Sequence, residues 1–240
     1  MHSLDDSKYL QVLRNKVIVF DGAMGTSLQI KGLSGSACGD ENTEGCIDCL
    51  NLSCPDDVEQ VHREFLQAGV DVIETNTFRS NRITLAEYGL ADHTVGINAR
   101  GAEIARKVAD EFSTEEHPRF VAGSVGPTGK LPSLNDPEMS DILFEDLVEI
   151  FKEQGEGLLK GGVDLFLIET SQDILEVKAA IAGLQAAMKV VGREVPIQAQ
   201  VTLDTTGHML LGTDIEAVLT ILEGLPITTI GLNCSTGPQH

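Results

Sequence analysis

The sequence predicts an α/β fold of the (β/α)8 TIM-type barrel kind, on three observations. Six Val- and Ile-rich runs alternate with segments of helical period, which is the order of successive βα units. The runs are nearly continuously apolar and are separated by helix-length crossovers, so the strands should lie parallel in a sheet covered on both faces. Polar side chains recur where the runs end. A barrel gathers ligands at that rim from many strands, whereas an open sheet concentrates them at one switch point.

The first run is Val17–Asp21, and the turn after it reads DGAMGT, without the G-x-G-x-x-G of a dinucleotide site. A helix is expected over Asp56–Ala68, opening after Pro55 with acidic residues that suit a helix N-terminus. Strand Val70–Thr75, helix Asn98–Phe112, strand Arg119–Ser124 and helix Ser140–Lys160 follow. Strand Val163–Thr170, helix Ile174–Val190, strand Pro196–Asp204, helix Thr213–Leu225 and strand Thr228–Cys234 complete the order. Ser140 and Thr213 are the expected N-caps. AGVDVIET at 68–75 and GGVDLFLIET at 161–170 nearly repeat, each with a Gly helix stop, a Val-Asp start and a Glu-Thr exit, so they read as equivalent units.

Six strands are two short of a closed barrel, and eight units usually need about 250 residues. The expectation is therefore one barrel domain over residues 1–240, truncated after about six βα units, with its C-terminal part missing from this chain. Such a sheet would expose an edge. The other reading is a complete six-stranded α/β domain.

Composition narrows the function. The chain has 240 residues, 42% hydrophobic and 22% charged, which suits one soluble globular domain and excludes disorder. A net charge of −20 would repel nucleic acid, and 4% aromatics without Trp make no stacking platform. No apolar stretch reaches the roughly 18–20 residues of a membrane span. The N-terminus lacks a basic start and an apolar core, so it does not read as a signal peptide. Five cysteines without an export signal point to reduced thiols and a cytoplasmic location.

Several rim residues have the types that carry chemistry. The backbone N–H groups of Gly22 and Ala23, after Asp21, suit a carboxylate, although the same string also makes an ordinary turn. Glu74 and Glu169 end apolar strands and suit a substrate ammonium group, or simply face solvent. Ser124, Asp204 and Asn76 also lie at strand ends. Cys234, in GLNCSTGP, is a candidate thiolate ligand or nucleophile, or a buried free thiol. Cys38, Cys46, Cys49 and Cys54 crowd into 17 positions with a C-x2-C pair in the middle. Their outer spacings match no standard zinc pattern and the loop holds no His, so a loop metal site is only an alternative. The six His residues are scattered, and no Ser/His/Asp or His/Cys arrangement follows from order alone.

The strings VFDGAMGTSLQ, GVDVIETNTFRSNRITLAEYGL, RFVAGSVGPTG, GGVDLFLIETSQDILEVKAA and IGLNCSTGP, in this order, resemble the homocysteine S-methyltransferase family. They are most similar to the N-terminal, homocysteine-binding domain of its cobalamin-dependent branch, from about Val17 to the chain end. The resemblance implies a (β/α)8 barrel holding zinc through three cysteine thiolates. Cys234 matches one of them. The other two are an adjacent Cys-Cys pair, absent from this sequence and expected beyond residue 240; the Cys38–Cys54 loop does not match it. The resemblance also places the carboxylate of homocysteine at Gly22 and Ala23 and its amino group at Glu169 and Asn233, with Asp21 shaping the pocket.

The implied reaction is zinc-dependent methyl transfer to the homocysteine thiol, giving methionine. A free thiol is mostly protonated at neutral pH, and zinc deprotonates one that coordinates it. The implied donor is methylcobalamin on another module, recharged from methyltetrahydrofolate. Nothing in this sequence resembles the folate- or cobalamin-binding modules, so they would sit in the same longer chain or act in trans. A betaine- or S-methylmethionine-dependent homocysteine methyltransferase is the enzymatic alternative, and a non-catalytic incomplete barrel is the other. With one matching thiolate, this chain alone is expected to bind zinc weakly and to be inactive.

Overall fold

The structure is a computed structural model that describes residues 4, 7–33, 43–134, 136, 138, 140–235 and 237. In chain order it places α1 (Lys8–Leu13), α2 (Met24–Ile30), α3 (Leu50–Ser53), α4 (Pro55–Ala68), β1 (Val72–Glu74), α5 (Arg82–Ala86), α6 (Thr94–Phe112) and β2 (Phe120–Val125). Then come α7 (Phe144–Gly161), β3 (Leu165–Ser171), α8 (Ile174–Val191), β4 (Ile197–Val201), α9 (Ile215–Glu223) and β5 (Thr229–Leu232). All five strands are parallel and lie in sequence order. This is the βα succession of a TIM-type fold.

The expected first strand is reduced to a short parallel contact. Phe20 bridges Val72, Val19 O accepts the N–H groups of Asp71 and Val72, and Asp21 N donates to Val72 O. A strand needs a continuing ladder, and none of the described residues covers the other side of this segment; Val17 is 86% and Val19 52% exposed. At the opposite edge Leu232 is 56% exposed. Among the described residues the sheet is therefore open at both ends, as expected for an unclosed sheet.

The repeated Val-Asp start has a physical cause. Asp71 Oδ2 accepts Val19 N at 3.0 Å, and Asp164 Oδ2 accepts Val121 N at 2.8 Å. Each carboxylate thus satisfies an N–H on the neighbouring extended segment, and a base neutralises it: Lys16 on Asp71 and Arg106 on Asp164, both at 2.6 Å.

Strand period 2 divides the sheet into two faces. Ile73, Val121, Phe166, Ile168, Ile197 and Ala199 pack with α6, α7 and α8 in the larger core. Val72, Phe120, Ala122, Leu165 and Leu167 point to the other face, where Tyr9 and Leu10 of α1 cover them. The Tyr9 ring meets Phe120 edge-on at 5.5 Å, and its hydroxyl donates to Gln198 Oε1. Two residues further along the same face stand Glu74, Ser124, Glu169 and Gln200. The inner face therefore runs from an apolar floor closed by α1 to a polar rim.

Two caps differ from expectation. Helix α7 begins at Phe144 behind Leu143, which supplies no side-chain cap, while the Ser140 hydroxyl is engaged with Asp136. Asp214, rather than Thr213, caps α9 by accepting Ala217 N at 2.8 Å; a carboxylate there also favours the positive helix end. No helix among the described residues is long and apolar enough to cross a membrane.

Candidate active site

The rim is built by strand ends and the backbone just beyond them. Asp21 follows the short parallel contact, and its Oδ1 accepts Glu74 N at 2.9 Å. Burial pushes its carboxyl up to about 8; that hydrogen bond opposes the rise and the charge of Glu169 adds to it. The chain then turns through Gly22 into Ala23, left-handed at φ 54°, and α2 starts without a side-chain cap.

Burial also raises Glu74, to about 9, reinforced by the charges of Glu169, Asp21 and Cys234. Glu169 is raised by burial as well, while Ser124 and Asn233 hydrogen bonds pull it back. Ser124 Oγ donates to Glu169 Oε1 at 2.6 Å and Asn233 Nδ2 to Oε2 at 3.2 Å. Three carboxyls thus share a poorly solvated space that favours their uncharged forms, and a cation placed among them would favour the ionised carboxylate.

Asn233 is held from several sides. Its Oδ1 accepts Thr170 N at 2.8 Å, its Nδ2 also donates to Thr170 Oγ1 at 3.0 Å, and its carbonyl accepts Thr202 Oγ1 at 3.0 Å. The next residue, Cys234, is exposed, with its sulfur 3.5 Å from Thr170 Oγ1. It borders a cavity of about 160 Å3 lined by Leu203, Asp204, Thr205, Gly207, Leu232 and Asn233.

The backbone marks the same place. Ala23, Thr170, Cys234 and Ser235 are the described non-glycine residues with positive φ, at 54°, 58°, 61° and 59°. All four stand at this rim. Left-handed geometry is most costly for a β-branched residue such as Thr170, of order 1–3 kcal/mol, and persists where surrounding contacts impose it. Asn233 supplies such contacts to Thr170.

The structure thus brings Asp21, Gly22, Ala23, Glu169, Asn233 and Cys234 to one rim, with Glu74 and Ser124 beside them. Asp204 is nearby, but its carboxylate is occupied by the N–H groups of Thr206 and His208. Asn76 turns away and bonds Asn51 and Ile47 O. Thr170 and Thr202 were not singled out from sequence; the Glu-Thr exit shared by the two repeated units is the signal that pointed to Thr170.

The other described cysteines lie apart. Cys46 and Cys49 are buried, Cys54 is half-buried before α4, and Cys38 lies outside the described residues. No group of three His, Cys, Asp or Glu among the described residues could hold a metal ion. At the rim Cys234 offers a single thiol, so the described residues do not by themselves make a zinc site.

Comparison with known proteins identifies the lineage of this arrangement. The profile of the family described as homocysteine S-methyltransferase matches residues 18–240. Methionine synthase of Mycobacterium tuberculosis (strain ATCC 25618 / H37Rv) is 44% identical over 237 residues, 99% of this chain and 19% of that protein. Methionine synthase of Mycobacterium leprae (strain TN) is 44% identical over 235 residues, with coverage of 98% and 19%. The chain thus spans about a fifth of the length of these relatives. Among solved structures, the metallated form of homocysteine methyltransferase MmuM from Escherichia coli superposes with a TM-score of 0.75 at 23% identity, covering 93% of this chain and 77% of that one. Its oxidized form gives 0.74 at 24%, covering 93% and 75%. At that identity the likeness concerns the fold.

Proposed function

The chain belongs to the homocysteine S-methyltransferase family, and on that premise we propose that it is the homocysteine-binding domain of a cobalamin-dependent methionine synthase, with residues 1–240 supplying the greater part of that barrel domain. The observation that carries the reading is the Asn233–Glu169 hydrogen bond beside the exposed Cys234 thiol. It sets a carboxylate suited to an amino-acid ammonium next to a sulfur suited to a metal.

The residues divide the substrate between them. The backbone N–H groups of Gly22 and Ala23 take the carboxylate of homocysteine, with Asp21 shaping the turn. Glu169, oriented by Ser124 and Asn233, takes the ammonium group, which supplies the positive charge that the buried carboxyls lack. The substrate sulfur then faces Cys234. In the transfer, a new bond forms between that sulfur and the methyl carbon, the bond from methyl to donor breaks with its electron pair leaving on the donor, and the thiol proton goes to solvent.

A zinc ion belongs to the proposal, with Cys234 as one ligand and the others coming from outside the described residues. When bound, zinc supplies the Lewis acidity that keeps a coordinated thiol deprotonated. Methylcobalamin as donor and the folate- and cobalamin-binding modules would reside in the remainder of a longer protein or in trans, acting in the cytoplasm. The decisive assay offers the protein, as its gene encodes it, homocysteine with methylcobalamin, betaine or S-methylmethionine in turn. Methionine should form with methylcobalamin; formation with betaine or S-methylmethionine alone would replace this reading with the corresponding sibling activity.

A further inference from the structure

The C-x2-C pair, Cys46 and Cys49, has no part in the proposed reaction, yet its geometry is specific. Cys49 N donates to Cys46 O at 3.3 Å, closing a turn at the short 3-10 helix Ile47–Cys49. A turn closed this way brings its first and last Cα atoms within about 7 Å, and a disulfide spans roughly 4.4–6.8 Å. Cys49 Sγ turns back towards Cys46 and donates to Cys46 O at 3.0 Å. The neighbouring Cys49 side chain lowers the Cys46 thiol and the Arg79 guanidinium assists, while burial and Asp48 oppose. Both cysteines are 2% exposed and pack with Leu85 and Ile97. A three-residue 3-10 helix has weak hydrogen-bond geometry, and with both thiols buried a small reagent would have to reach them through local opening of this turn.

We propose that Cys46 and Cys49 form a thiol–disulfide exchange site for low-molecular-weight disulfides. The Cys46 thiolate attacks one sulfur of the reagent, forming a mixed disulfide and releasing the first thiolate. Cys49, after losing its proton to solvent, attacks Cys46 Sγ and displaces the second. The chain loses two protons and two electrons, and the reagent is reduced to two thiols.

The turn is tied to the rim. Ile47 O accepts Asn76 Nδ2 at 3.0 Å, Asp48 Oδ1 accepts Arg79 N at 3.1 Å and Ser80 Oγ at 2.8 Å, and Asn51 Nδ2 donates to Asn76 O at 2.7 Å. These bonds hold the segment 76–80, which begins two residues after Glu74. A covalent link from Cys46 to Cys49 removes the freedom of the turn that anchors it, so the oxidised protein holds this segment more rigidly.

The test incubates the purified protein, as its gene encodes it, with oxidised glutathione, followed by alkylation, digestion and peptide mass analysis. A Cys46–Cys49 bridge should form, revert with dithiothreitol and survive Cys54→Ser, while Cys49→Ser should leave a glutathione adduct on Cys46. Hydrogen exchange at the amides of 76–80 should slow roughly tenfold in the bridged protein. A bridge from either residue to Cys38 or Cys54, glutathione adducts without a bridge in the unsubstituted chain, or no reaction before unfolding would each overturn the exchange site. Complete bridging with unchanged exchange would overturn its coupling to the rim.

Discussion

Asn233 donates its side-chain amide Nδ2 to Glu169 at 3.2 Å while its Oδ1 takes Thr170 N at 2.8 Å, so one side chain joins the ends of β3 and β5 across β4. It orients the proposed ammonium ligand and holds Thr170 left-handed beside Cys234.

Replacing it should therefore act on substrate binding. A hydrogen bond to a charged group contributes about 1.5–3 kcal/mol, so Asn233→Ala should weaken homocysteine binding by at least about tenfold in calorimetric titration. A change below about twofold would show that Glu169 is held adequately by Ser124 alone.

Cys234 and Glu169 should separate metal from substrate. In the protein as its gene encodes it, Cys234→Ser should lower zinc content and abolish methyl transfer, whereas Glu169→Gln should retain zinc and mainly raise KM. Elemental analysis alongside kinetics reads both. Full zinc content in Cys234→Ser would remove that residue from the ligand set.

His62 should govern part of the acid sensitivity. It is fully buried in α4, and neither ring nitrogen has a hydrogen-bond partner among the described residues. Burial lowers its pKa from 6.5 to about 3; Glu59 opposes that fall and Arg63 adds to it. The unfolded chain binds a proton below about pH 6.5 that the folded chain refuses until about pH 3, so this contribution to stability is complete above the first value and is lost as pH falls towards the second. His62→Leu should flatten that loss and, by removing unpaired polar atoms, stabilise the fold by roughly 1–3 kcal/mol. Urea unfolding at about pH 7.5 and about pH 5 is the measurement. Equal losses in both proteins would exonerate the imidazole.

Gly161 sets the last turn of α7 directly against α6. A Cβ there would overlap Ala102 Cβ and Ala99 O, the latter being backbone that has little room to retreat. Gly161→Ala should destabilise by about 1–3 kcal/mol, seen as a lower Tm, despite the better helix propensity of Ala. A raised Tm would mean that the helices separate freely.

Much of the fold was legible in the residues because it is local. Apolar runs of strand length, helix-length spacers and Gly stops name the elements and their parallel order, and the matched Val-Asp starts announced equivalent units. Helix caps were less legible: Ser140 and Asp214 had to be placed against real neighbours before one proved engaged elsewhere and the other proved to be the cap. The first strand also fell short, since an extended run becomes a full strand only with a partner beside it.

Chain order alone put Glu169, Asn233 and Cys234 at strand ends, and gave Asp21 a turn rich in small residues. It left open which face each strand turns inward, because a buried run lacks the polar alternation that would reveal it. Register between strands decided that Glu74, Ser124 and Glu169 share the inner face above an apolar floor, and that Asn233 reaches Glu169 while Asn76 turns to Asn51. Composition and period act between neighbours in the chain; a hydrogen bond spanning 64 positions depends on where the whole sheet sets its ends.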